Sequence, residues 1–543
     1  LSLPTRISEE SDKWKRIRCD KVSQDIENSY EDIIKQISRY NNNETISLII
    51  DTMLNSKCCA RCILRFLNVY DYKIYSASEE ILFTLISRIR EDFLKSIDPK
   101  LISSTEHSFT EILSCKPLDK PICVTCFDLL YQADTIECVW PIYQTILAHN
   151  FDVKDFNLAV SMPIGILVNN HSMMVWIRKM CNDLKVHCSL EILADSKEIF
   201  KHLLGWSIEQ QTGLVYKCQS QFNISVEYYH EETQRIHMFL TKIPSAEFDM
   251  KKIRVKGKHI WTGDSRPNIS NALQKVSDEE FLKMCHGCPP FSLKERWKYR
   301  PPILEHTTIY VGGRYNKFSR DISQTPWIIN GIKLAPTSVS ECIGEKIREL
   351  FRCDGREDSN VRMLGNGRPF FIEIINPRNP FPSQEALNDV QEEINKENTD
   401  LVRCQRLTII TNKQDLSIIK EGEETKTKTY SALVWISKKV TPEIIDEINK
   451  FHDEFIIKQQ TPIRVLHRRS PAIRTKKIHY IFAEQMEDNF LTLRIKTEAG
   501  TYVKEFIHGD LGRTVPSLGD MIGCHADILA LDVLEVDLEW PIQ

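Results

Sequence analysis

The sequence predicts an α+β protein of two or three domains, with helices gathered toward the amino end and a large mixed or antiparallel sheet at the carboxyl end. Three observations carry this. The chain has 543 residues, and domains take about 100–200 residues each. Apolar positions recur every three or four residues in "SASEEILFTLISRIREDFLKSI" (76–97), the period of an amphipathic helix behind the capping residues Ser76 and Ser78. Beyond about residue 300, short runs of β-branched and aromatic residues follow one another closely, as strands do.

In chain order, residues 1–50 are polar and helical, broken by "NNNE" at 41–44, and are expected to form a helical or flexible extension. Residues 51–285 form an accessory domain. Its first hundred residues are mainly helical. Then "DFNLAVSMPI" (155–164) and "LVYKCQSQFNISVEYYHEETQRIHMFLTKI" (214–243) alternate as strands do, around a helix at "HSMMVWIRKMCNDL" (171–184). Two Pro pairs in "CHGCPPFSLKERWKYRPPIL" (285–304) cannot sit inside a helix or central strand, so 286–303 is a linker. The domain 304–543 carries the strands "TTIYVGG", "PFFIEIINP", "YSALVWIS", "IRVLHRR", "KIHYIFAEQ", "FLTLRIKTEAG" and "ADILALDVLEVDL". Helices fall between them at 337–352, 384–397 and 442–452. No repeat of fixed period runs through the chain.

Composition narrows the class. With 42% hydrophobic and 27% charged residues, the chain is close to the globular average, which excludes wholesale disorder. A net charge of −4 neither supports nor opposes nucleic-acid binding, which needs a local patch rather than a global excess. No apolar run reaches membrane-spanning length; "VSMPIGILV", among the longest, is broken by Pro163 and Gly165. The first residues lack the apolar core of a signal peptide, so a soluble intracellular protein is expected. Seventeen cysteines, an odd number, are then expected as buried thiols, with CxxC pairs as metal candidates.

The chemistry-bearing stretches begin with "CDGREDSNVRMLGNGRPFFIEIINP" (353–377). It sets Arg356, Arg362 and Arg368 and the pair Glu357–Asp358 among Gly and Asn positions, ahead of a strand. A carboxylate beside a fixed cation stays ionised, as a nucleophilic or charge-stabilising acid must; a solvated loop would also account for these residues. Tyr430 stands where the polar "EGEETKTKT" meets an apolar strand, and Lys504 follows the Gly500 turn in "AGTYVKEF". Alone, each also reads as an ordinary core tyrosine or solvated lysine. Residues 461–480, "TPIRVLHRRSPAIRTKKIHY", hold Arg464, Arg468, Arg469 and Arg474 and no acid; "GGRYNKFSR" interleaves Arg314, Lys317 and Arg320 with Tyr315 and Phe318. Cations contact phosphates and aromatics stack on unpaired bases, so both stretches suit RNA. In the amino-terminal half, Cys59-x-x-Cys62 and Cys123-x-x-Cys126 each have the bite for one tetrahedral Zn²⁺, and together they can close one structural Cys₄ site. Cys58 is a rival ligand. Cys285-x-x-Cys288, beside a Pro pair, reads as incidental.

The region from about 300 onward closely resembles the catalytic domain of the archaeal and eukaryotic Pus-ten family of tRNA pseudouridine synthases, which act on the T-loop. The resemblance rests on "GGRYNKFSRDISQTPWIING", "GREDSNVRMLGNGRPF", "EGEETKTKTYSALVW", "TPIRVLHRRSPAIR" and "AGTYVKEFIHGDLGRTVPSLG". It implies that Asp358, not Glu357, is the catalytic acid, that Tyr430 stacks on the target uracil, and that Lys504 pairs with Asp358. It further implies that Arg356 positions the flipped nucleotide and that Leu493 lines the same pocket. "CxRCILRF" and "CVTCFDLL" resemble the family's zinc-bearing accessory domain, and the α/β module near 150–285 falls where the family carries a THUMP-like RNA-binding element. The expected activity is isomerisation of uridine to pseudouridine at position 54, 55 or both of the tRNA T-loop. That reaction needs no metal and no organic cofactor; one structural Zn²⁺ is expected in the accessory domain, and the expected locations are nucleus and cytoplasm, with a mitochondrial pool left open. The alternative is a non-catalytic RNA-binding protein serving microRNA processing, which would have no need of Asp358, Tyr430 and Lys504 together. A zinc deaminase would require a His/Cys/Cys site with an adjacent Glu, and both CxxC pairs lack that companion.

Overall fold

A computed structural model gives the fold. It describes residues 24–95, 121–188, 190–249, 251–255, 258–262, 265–329, 331–351, 362–412, 414–467 and 469–541. The chain divides into two compact units, Leu1–Glu305 and His306–Gln543.

The amino-terminal unit opens with a helix over residues 24–38, whose Ile26, Ile33 and Ile37 are buried in the core of the unit. The apolar spacing makes this stretch part of that core, where an extension had been expected. The helix Asn43–Asn55 follows, its first turn capped by Asn42, whose side-chain oxygen accepts the Thr45 N–H at 2.8 Å. It packs on the helix Glu79–Leu94, and Asp51 and Arg90 form a buried ion pair between the two (2.7 and 3.3 Å). The α/β module is built on strands β1 (Asp155–Ser161), β2 (Val215–Tyr216) and β3 (Phe222–Tyr229), ordered β2-β1-β3 and parallel. Parallel neighbours need a long crossover, supplied here by the helices Gly165–Asp183 and Ser196–Thr212. A separate hairpin joins β4 (Lys251–Val255) to β5 (Lys258–Thr262). Strand β6 (Lys298–Tyr299) pairs antiparallel with the end of β3, and Trp297 packs on the amino-terminal core. The Pro-flanked stretch expected to link two domains thus completes the first one. Strand β7 (Ile303–His306) closes the series.

The carboxyl-terminal unit holds β8 (Ile309–Lys317), a small hairpin of β9 (Ile328–Ile329) and β10 (Ile332–Lys333), β11 (Arg362–Ile374), β12 (Val402–Ile410), β13 (Lys428–Ile436), β14 (Phe455–Gln460), β15 (Ile473–Gln485), β16 (Phe490–Thr497), β17 (Thr514–Val515) and β18 (Ala526–Val536). Nine of these form one sheet, ordered β12-β8-β11-β18-β13-β16-β15-β14-β17. Its neighbours are antiparallel except β11 and β18, which run parallel with Arg362 beside Asp532. The result is the large mixed sheet of an α/β unit. One core gathers Val311, Ile374, Val402 and Trp540 with the helices Val339–Phe351 and Gln384–Glu397; a second gathers Val434, Ile481, Leu493 and Phe506. Tyr430 packs against both. The stretch "IRVLHRR", expected as a strand, is a 3₁₀ turn at Ile463–Val465 behind Pro462. Pro462 has no N–H to give a ladder, and Thr461 turns back to bond Ala472. No helix among the described residues is long and apolar enough to cross a membrane.

Candidate active site and metal centre

Strand β8 is buried from Val311 to Lys317, flanked by β11 and β12. Its glycine pair is dictated by packing: a side chain on Gly312 would place Cβ 2.2 Å from the fully buried ring of Trp540. Arg314, expected to face RNA, points inward instead. Its guanidinium donates to the carbonyls of Asn366 (2.7 Å), Gly367 (2.8 Å), Leu538 (2.7 Å) and Trp540 (2.9 Å). Tyr315 is likewise buried, its ring 6.0 Å from Phe370. Both therefore serve the fold, because β8 lies inside the sheet where the sequence alone suggested a surface. The acceptors Asn366 and Gly367 sit on a bulge in β11, where its register against β8 shifts between Met363 and Arg368. Gly365 and Gly367 take φ values of +58° and +74° there, conformations that L side chains rarely adopt.

At the end of β8 the chain opens onto a pocket of about 260 Å³, lined by Lys317, Arg320, Arg362, Lys504 and the segment Ile528–Leu531 of β18. Asp532 organises it. Its carboxylate accepts from Arg362 Nε at 2.7 Å and again from the Arg362 Nη2, and from Arg320 Nη2 at 2.6 Å. Burial alone would push the Asp532 carboxyl up; these two guanidiniums hold it below the usual carboxylate range. Arg320 also donates to the Leu531 carbonyl at 2.9 Å. Lys504, the second residue of the helix Val503–His508, reaches the same pocket from the other side and is solvent-exposed. Lys317 is only 2% exposed, and its ammonium has no hydrogen-bond partner among the described residues. Burial, reinforced by Arg320 and opposed by Asp321, pushes its pKa down.

Tyr430 lies on β13, opposite Ile495 of β16 and Val533 of β18, at a register shift. Burial, eased by Arg368, pushes its hydroxyl up to about 12, so it stays protonated at neutral pH. Leu493, opposite Ala432 and Ala483, is wholly buried in the second core. Asp358, Arg356 and Arg468 lie outside the described residues, but Arg362, four positions beyond Asp358, lines the pocket. Among the other expected RNA contacts, Arg464 makes a bidentate pair with the buried Glu505 (2.7 and 3.3 Å) while half its side chain remains exposed. Arg469 donates to the Tyr502 hydroxyl at 2.9 Å, and Arg474 to the Thr461 hydroxyl at 3.1 Å.

In the amino-terminal unit, Cys59 precedes the helix Ala60–Phe66 that carries Cys62, and Cys123 stands just before a turn over 124–128 that contains Cys126. The Asp128 carboxylate holds that turn by accepting the Cys123 N–H at 2.9 Å. The four sulfurs lie within 4.8 Å of one another and are buried, with Cys59 Sγ 3.7 Å from Cys126 Sγ. Metal–sulfur bonds of ~2.3 Å in a tetrahedron put sulfurs about 3.8 Å apart, so the group fits a tetrahedral ion. The Cys58 sulfur accepts instead from the Thr125 hydroxyl at 3.7 Å. Arg65 Nη1 lies 3.7 Å from Cys62 Sγ, a cation beside a prospective thiolate. Sequence reasoning overlooked Arg65 and Asp532. For Arg65 the signal was available, as a charge set inside the apolar run "CILRFL", where a charge persists only if paired.

Residues 310–537 match the family described as "Pus10, C-terminal", and residues 123–299 the family described as "Eukaryotic Pus10, N-terminal". The human and mouse proteins named tRNA pseudouridine synthase Pus10 are 32% and 33% identical to the chain over 524 and 522 residues, covering 91% of it and 97% of each relative. The Pyrococcus furiosus protein of that name is 37% identical over 253 residues, 46% of this chain and 60% of the relative. A chain of a Cbf5-Nop10-Gar1 complex aligns at 18% identity over 41% of this chain and 48% of its own, with a TM-score of 0.23, too slight a likeness to argue from. The matches define a protein of two family regions in tandem, one typical of eukaryotes. The chain belongs to the Pus10 family.

Proposed function

We propose that this chain is a tRNA pseudouridine synthase, an isomerase acting on uridine at position 54, 55 or both of the T-loop, with Asp358 as its catalytic acid. The observation that carries the reading is the full-length likeness to Pus10 synthases, supported by the pocket of cations into which the strand after Asp358 leads. The reaction breaks the N1–C1′ bond, turns the uracil and forms a C5–C1′ bond, with one proton lost at C5 and one gained at N1. Asp358 serves by attacking C1′ or by stabilising the ribosyl species. Lys504 keeps that carboxylate ionised. Tyr430, with its hydroxyl protonated, offers a ring to the uracil lifted from its stack, and Arg356 positions the flipped nucleotide. Arg320 and the cluster Arg464, Arg468, Arg469 and Arg474 meet phosphates of the tRNA.

In the same reading, Cys59, Cys62, Cys123 and Cys126 hold one structural Zn²⁺, which ties two distant stretches of the amino-terminal unit together. The parallel module around β1 and β3 serves as a THUMP-like RNA-binding element.

Tritium release from tRNA transcripts labelled with [5-³H]uridine tests the assignment, with modified positions mapped by carbodiimide treatment and primer extension. Release by wild type, mapped to the T-loop and abolished in Asp358→Asn with tRNA affinity kept, is the expected result. Turnover in Asp358→Asn like that of wild type would falsify the catalytic role.

A further inference from the structure

The pocket at the end of β8 carries more positive charge than the described residues balance. Lys317, Arg320, Arg362 and Lys504 line it; Asp532 answers Arg320 and Arg362, which leaves a formal excess of three. Asp321, exposed and close enough to Lys317 to favour its charged form, reduces that to two. The segment 352–361 leading into Arg362 carries Arg352 and Arg356 against Asp354, Glu357 and Asp358, a net of minus one. Even that full charge leaves the pocket positive.

Lys317 is where the imbalance is sharpest, with a nearly inaccessible ammonium lacking an acceptor among the described residues. A buried charge persists when an anion meets it, and an anion that no described residue supplies can come with the substrate. We propose that Lys317, flanked by Arg320, binds a single phosphodiester of the RNA beside the flipped uridine, seating one backbone linkage in this pocket. An ammonium suits that task, being a compact point charge with three donors. The inference rests on this pocket being the active site. It gives Lys317 a task apart from that of Lys504, which serves the catalytic carboxylate.

The test measures tRNA affinity by fluorescence anisotropy from 50 to 300 mM KCl, in the full-length Asp358→Asn chain so that turnover does not interfere. Adding Lys317→Met should weaken binding about tenfold and make the log–log salt slope shallower by about 0.7–0.9, the signature of one lost phosphate contact. The RNA-free melting temperature should stay level or rise, since a buried ammonium without an anion has been removed. Unchanged affinity and slope would overturn the proposal. If turnover nevertheless falls when Lys317→Met is made in the chain with Asp358 intact, the anion is a carboxylate of the protein, and the proposal fails equally. A second measurement needs no variant to fold: neutral methylphosphonate linkages are placed singly around the target uridine in a synthetic T-arm hairpin. One linkage should weaken binding to protein carrying Lys317; if none does, the phosphate site is absent. Failure of the catalytic reading shows separately, as turnover surviving in Asp358→Asn.

Discussion

Replacing Arg314 by Met should loosen the carboxyl-terminal unit and leave its RNA electrostatics untouched. The guanidinium is 3% exposed and bonds four carbonyls, two on the β11 bulge and two beyond the end of β18. Each orphaned carbonyl costs about 1 kcal/mol, so the four together cost about 4 kcal/mol. At 1.36 kcal/mol per decade, amide protection in β8 and β11 should fall by about three decades, read by hydrogen–deuterium exchange of the full chain. The salt slope for tRNA binding should stay as in wild type, because the charge faces the interior of the fold. Unchanged protection together with a shallower slope would refute the reasoning and return Arg314 to the RNA surface that the sequence suggested.

Purified protein should contain about one zinc per chain, and Cys59→Ser with Cys123→Ser should lose it, as read by plasma mass spectrometry; protein without zinc sinks the metal assignment. His171 adds a pH dependence. Burial holds its pKa down to about 4, with Arg178 adding and Asp278 opposing, and its ring stands edge-on to Phe281 at 4.8 Å. The unfolded chain therefore takes up a proton near pH 6.5 that the folded chain refuses until about pH 4. Stability from this group is present above pH 6.5 and is lost as the pH falls toward 4, by about 3 kcal/mol in all. Urea denaturation of wild type and His171→Leu should diverge by that amount across this window; parallel pH curves would contradict it.

Much of the architecture was legible where period and chemistry agree. The helix expected at 384–397 stands at Gln384–Glu397, where Ser383 caps a run that buries Leu387 and Ile394. Strand β13 was legible because "YSALVWIS" alternates. The four cysteines were legible because the CxxC bite is a local property, and the fold had only to bring two such bites together. What could not be read is which face a residue shows. "GGRYNKFSR" has the composition of a basic, aromatic surface, yet β8 lies between two strands, so Arg314 and Tyr315 go inward; its place in the sheet is set by pairings with residues 46–100 positions away. Asp532 was passed over for the same reason. Its importance comes from a parallel pairing with Arg362, 170 residues distant, which no local pattern records.

The position of β18 has a consequence for how the protein is made. Strand β18 is neither an edge nor an appendage; it sits between β11 and β13, joining three strands on one side to five on the other. Trp540, just beyond it, fills the space over Gly312 at the start of the unit. During synthesis, therefore, the two half-sheets wait with open edges until residues 526–536 clear the ribosome, and the cation pocket, walled by β18, forms only after them. A chain that stops short of β18 lacks one wall of that pocket and leaves β11 and β13 as two unpaired sheet edges.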